Sequence, residues 1–96
     1  MCMTFVRVEG HEVAAEQAER FLRDRALVAS AMEKLLAERY ARVRLMTLDP
    51  EDGDGLGAYD ESGELVFHFP LDPGNVARAA EALAAGRLEA FLTDCL

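Results

Sequence analysis

The chain has 96 residues, 51% of them hydrophobic and 29% charged, with a formal net charge of −8. That length supports one hydrophobic core and no second domain, and the composition lies far from the polar, highly charged corner where chains stay disordered. Residues 1–48 carry seven acids and eight bases while residues 49–96 carry eleven acids and two bases, so the second half repels phosphate and direct nucleic-acid binding is not expected.

Met3–Val8 is rich in β-branched and aromatic residues and runs into Gly10, which predicts a short first strand. Arg7 and Glu9 interrupt it too early for the apolar region of a signal peptide. From Glu12 to about Tyr40 there is neither Gly nor Pro. Apolar residues recur there at helical spacing, at Ala14, Ala18, Phe21 and Leu22 and again at Val28, Met32, Leu35 and Leu36. The polar run Arg23-Asp24-Arg25 breaks that spacing and predicts two helices, with Asp24 as the N-cap of the second.

Arg42–Leu48 alternates as a strand does, with Val43, Leu45 and Thr47 on one face and Arg44, Met46 and Leu48 on the other. The turn-forming run Asp49-Pro50-Glu51-Asp52-Gly53-Asp54-Gly55 leads to a strand at Leu56–Asp60, and the turn Glu61-Ser62-Gly63 leads to another at Glu64–Phe69. In this antiparallel meander Leu65, Phe67 and Phe69 are expected to face the helices, with Glu64, Val66 and His68 on the other side. Asp72-Pro73 reads as N-cap and first position of a helix through Ala85 that Gly86 closes in a left-handed conformation. A last helical piece runs from Arg87 to about Asp94, with an apolar stripe of Leu88, Phe91, Leu92, Cys95 and Leu96. The expected fold is one α+β domain over residues 1–96 in the order (β)ααβββαα. Its three-stranded meander, with the N-terminal strand as an optional fourth, packs against helices.

No apolar stretch approaches the roughly 20 residues that cross a bilayer, and two cysteines at opposite ends, Cys2 and Cys95, make no disulfide framework, so a cytoplasmic chain that avoids membranes is expected. The acidic turn fails the EF-hand pattern, because Gly53 stands where an acidic ligand belongs and Asp54 where glycine belongs. His11-Glu12 resembles the start of a zinc-protease motif, but Ala15 occupies the place of the second histidine. Glu12, Glu16 and Glu19 read as one solvated helical face. With no phosphate loop, nucleophile elbow or metal spacing, neither catalytic residues, metal nor cofactor are expected, and the chain reads as a non-enzyme.

By elimination, the sequence points to a small acidic protein-binding module, an inhibitor or adaptor. It would present Asp49, Glu51, Asp52, Asp54, Asp60, Glu61 and Glu64 to a basic surface of a partner, such as a nucleic-acid-binding enzyme or complex. A second candidate surface is the sheet face that helices leave open, with Arg44, Met46, Tyr59, Val66 and His68. Two alternatives stand beside the first reading: a small enzyme or ligand-binding domain with its pocket between sheet and helices, using His68 with Tyr59, or a structural homo-oligomer subunit, such as a homodimer, joined through the apolar sheet face and the C-terminal stripe.

Overall fold

Strand β1 (Phe5–Val8) and strand β2 (His11–Ala14) form an antiparallel hairpin in the computed structural model, which describes residues 3–49 and 53–96. Glu9 and Gly10 join them with φ of 52° and 84°, and two consecutive left-handed residues match the twist of a tight hairpin. A turn of 3₁₀ helix, Ala15–Gln17, leads into helix α1 (Ala18–Ala37). The meander follows as β3 (Arg42–Asp49), β4 (Gly53–Tyr59) and β5 (Leu65–Pro70), and the chain closes with α2 (Pro73–Ala84) and α3 (Leu88–Cys95). The α+β class is as expected, while the N-terminal strand pairs only with β2 in a separate two-stranded sheet and is no fourth strand of the meander.

Two expectations about the first half are corrected. Residues 11–14 form a strand where a helix was expected from Glu12, because His11 and Val13, two residues apart, both turn inward and are buried; period two wins over the helix propensity of the neighbouring Glu and Ala residues. Glu12 therefore does not share a helical face with Glu16 and Glu19. Downstream, α1 is one unbroken helix of 20 residues. Phe21, Arg25, Val28, Met32 and Leu36 continue one stripe at helical spacing, and Arg25 only looked like a break because its charge is matched across the core. Asp24 is mid-helix, 3.6 Å from Arg20 one turn back, and caps nothing.

β4 begins earlier than expected, at Gly53, so half of the acidic turn belongs to the sheet. Leu56 and Ala58 face the helices and are buried with Val28, Met32, Leu36, Phe69, Val76, Leu88 and Leu92 in one core. The thinnest dimension of the molecule, 18 Å, leaves room for the sheet and one layer of helices. On α2, the Asp72 side chain accepts a hydrogen bond from the Asn75 backbone N–H at 2.8 Å, Pro73 opens the helix, and Gly86 beyond it has φ of 71°, all as the sequence predicts. Leu88 and Leu92 of α3 are buried and Phe91 meets Phe69 edge to face, but Cys95, a free thiol, and Leu96 are exposed, so the terminal stripe docks only in part. Cys2 lies outside the described residues. No helix among the described residues is long and apolar enough to cross a membrane.

The register of β5 overturns one assignment. Phe67 lies opposite Ala58, but the next pair is Leu65 with Tyr59, so Val66 is an extra residue. A bulge of this kind shifts every side chain beyond it to the other face. Leu65 accordingly joins the outer face, 40% exposed, while Phe69 remains in the core. Phe69→Ala is expected to cost about 3–5 kcal/mol of stability and Leu65→Ala less than about 1 kcal/mol. Urea unfolding of the two variants measures the difference, and equal costs would return Leu65 to the core.

Candidate functional site

Two constellations stand out, one sealed inside the fold and one open. The sealed one joins β2, α1 and β4. Asp54 alternates inward with Leu56 and Ala58, and its carboxylate pairs with the Arg25 guanidinium of α1. His11 Nε2 stands 3.3 Å from the Asp54 backbone oxygen and 3.5 Å from its carboxylate. Both neighbours accept hydrogen bonds, which selects the tautomer protonated on Nε2. Glu9 completes the rim, 4.0 Å from Arg25.

The three central side chains are 7%, 13% and 15% exposed for His11, Arg25 and Asp54, and the cluster acts inside the fold. Asp54 was expected to offer its charge to a partner; instead Arg25 consumes it. Burial lowers the pKa of His11 from its ordinary value, Asp72 opposes that shift, and Arg25 and Arg7 add to it. The backbone closes in tightly here. A Cβ on Gly10 would lie 2.6 Å from the Gly53 Cα, and one on Gly53 would lie 2.5 Å from the His11 ring, while both glycines have positive φ.

The other acids part company. Asp60 accepts hydrogen bonds from Ser62 and from the Glu64 backbone within the β4–β5 turn, which lowers its pKa, and Glu61 and Glu64 beside it are exposed. Asp49 pairs through its backbone with Gly53 at the opposite end of the same sheet, while Glu51 and Asp52 lie outside the described residues. The expected acidic surface is thus divided between the two ends of β4.

The open constellation is the outer face of the meander. Pairing places Arg42 opposite Tyr59, Arg44 opposite Gly57, Met46 opposite Gly55, and His68 opposite Gly57. The Arg44 guanidinium lies 5.1 Å from the centre of the Tyr59 ring, a cation–π distance, and the Tyr59 hydroxyl donates to Met46 Sδ at 3.7 Å. A Cβ on Gly57 would meet Met46 Sδ at 2.5 Å and Leu65 at 3.1 Å, and one on Gly55 would meet His68 Nε2 at 2.5 Å. These glycines let the outer side chains lie flat, and every atom so met belongs to the sheet itself. Val66 and Leu65 are exposed beside them.

The structure therefore brings together Arg44, Met46, Tyr59 and His68 as the sequence suggested and adds Leu65 and Arg42, which the sequence reading did not include. The bulge hid Leu65; the alternation of β3 already contained Arg42. A cleft of about 630 Å³ lies between α1 and α2, floored by Val13, Phe21, Val76 and Ala80, and neither His68 nor Tyr59 lines it. The chain matches no protein-family model, no curated protein and no solved structure.

The sealed cluster sets two measurable expectations. Because His11 titrates lower in the folded than in the unfolded chain, its contribution to stability is whole above pH 6.5 and is lost as the pH falls from there through the folded value. Thermal melts between about pH 8 and about pH 5 should show that decline, flattened in His11→Phe. Arg25→Met strands the Asp54 carboxylate and is expected to cost about 3–5 kcal/mol, whereas Arg25→Met with Asp54→Leu should recover most of it, as denaturant unfolding will show.

Proposed function

We propose that the chain is a protein-binding module, an adaptor or inhibitor whose product is a complex, and that the outer face of the β3–β4–β5 sheet is its docking surface. One observation carries the reading: Met46, Tyr59 and Leu65 come together as an apolar and aromatic centre on that face, with the Tyr59 hydroxyl on Met46 Sδ, Met46 and Leu65 meeting over Gly57, and Leu65 40% exposed. Interfaces concentrate their binding energy in such centres, with Tyr, Met and Arg enriched and charged rims around them.

The burial of the titratable cluster is consistent with the same reading, since the charges of Arg25 and Asp54 are matched to each other and, with His11, they hold elements together. Exposed Glu61 and Glu64 at the hairpin end suit basic groups at the margin of a partner, which keeps part of the acidic contact expected from composition.

Hydroxyl-radical labelling of the protein inside its own cells, compared with the dilute purified chain, tests the docking face without knowing the partner. Tyr59, Leu65 and Val66 should be protected several-fold in cells, while Met3, exposed just before the separate hairpin, should label alike in both. Equal labelling of the sheet face in both samples would count against this function.

A further inference from the structure

The meander has two edges, and they differ. β5 carries a bulge at Val66 and ends in Pro70, both of which disfavour pairing with another strand. β3 has eight residues with an unshifted register from Arg42 to Thr47, and among the described residues no backbone other than β4 pairs with it. Its inner face is incomplete. Leu45 lies in register with Leu56, which is 1% exposed, yet Leu45 itself is 54% exposed, as if the sheet stopped one strand short of covering it.

Over its regularly paired stretch Arg42–Met46, the outer face of β3 has a charge opposite to that of the chain. In a protein of net charge −8, the outward positions Arg42, Arg44, Met46, Gly55, Gly57, Tyr59, Leu65 and His68 include two arginines and no acid. Arg44 is drawn over the Tyr59 ring, so it lies on the sheet's face and does not project across the strand edge.

Resting on the docking face proposed above, we infer that β3 receives an added strand: an extended segment of a partner protein that alternates acidic and aliphatic residues. Its acids would stand beside Arg42 and Arg44 on the outer face, and its aliphatic residues beside Val43 and Leu45 on the inner one. Directly opposed side chains in a sheet lie within contact, so this alternation satisfies the arginines and covers Leu45 in one register. A second copy of the chain fits less well. Pairing β3 with itself about Leu45 puts Arg44 against Met46 and Val43 against Thr47, with no acid for either arginine.

The probe is a nine-residue peptide alternating glutamate and valine, titrated to about 1 mM into the ¹⁵N-labelled full chain. Backbone amides of residues 42–47 should shift and gain protection from exchange, and N-methylation of alternate peptide nitrogens should abolish binding. Arg42→Glu with Arg44→Glu should weaken the glutamate peptide by about tenfold or more and favour a lysine–valine peptide instead, a reversal that a merely misfolded variant would not show. Unmoved β3 amides, undiminished binding of the N-methylated peptide, or a self-associated chain with β3 already protected would each overturn the added strand. If the peptide fails while Tyr59 and Leu65 remain protected in cells, docking on the face stands and strand addition falls. If both fail, so does the docking face.

Discussion

Asp54 is the point at which the molecule is tied together. Its carboxylate takes the Arg25 guanidinium from α1, its backbone oxygen stands 3.3 Å from His11 of β2, and the same oxygen accepts the Leu71 N–H at 3.1 Å just before α2. One residue of β4 thus fixes the N-terminal hairpin, the long helix and the approach to the second helix. Its charge is expensive to bury unless matched, and the geometry that matches it requires the Gly10 backbone to pass against Gly53 and the His11 ring against the same glycine. The separate hairpin sheet gains its place from this junction, since a two-stranded ribbon alone is marginal in water.

The alternation of β4 has a second consequence. Asp54, Leu56 and Ala58 go to the helices, and Gly55, Gly57 and Tyr59 go outward. Glycine on the outer face lets Met46, Leu65 and His68 from the flanking strands settle onto the backbone. The outer surface is therefore flat and partly packed before anything binds to it. Side chains already held in place lose less freedom on docking, which would favour the proposed docking on a face of only three strands.

Much of this order is legible in the residues. The alternation of β3, the turn at Glu61-Ser62-Gly63, the Asp72-Pro73 helix start and the Gly86 stop all have local causes and appear where local rules put them. The failures share a different cause. Arg25 sits on an apolar stripe because a carboxylate 29 residues away meets it, and His11 is on a strand because Val8 pairs with it across the turn. The Val66 bulge, which moves Leu65 to the outer face, is a property of strand pairing and has no signature in β5 alone. Open-face residues Arg44, Met46, Tyr59 and His68 could be grouped from period two, whereas the acids could not be placed, since their neighbours in sequence are divided between the interior and the two ends of the sheet.

That division changes what net charge means for recognition. At physiological salt, charges are screened over about 8 Å, so the overall −8 acts only weakly at a distance, and at contact a partner meets the groups in front of it. On the outer sheet face those groups are Arg42 and Arg44, the latter's guanidinium lying over the Tyr59 ring. The described acids otherwise lie on the helices, in the N-terminal hairpin, at the turns and at the Asp49 end of β3, with Asp54 in the interior. On the proposed reading, the acids bordering the face would repel an acidic partner at contact, while the face itself would favour an acid set beside an apolar strand. Specificity of the proposed docking would follow from that opposition, because a partner acidic throughout would be repelled by the surroundings and one basic throughout by the face. The proposed segment, mixing acid with apolar residues at the spacing of a strand, would satisfy both.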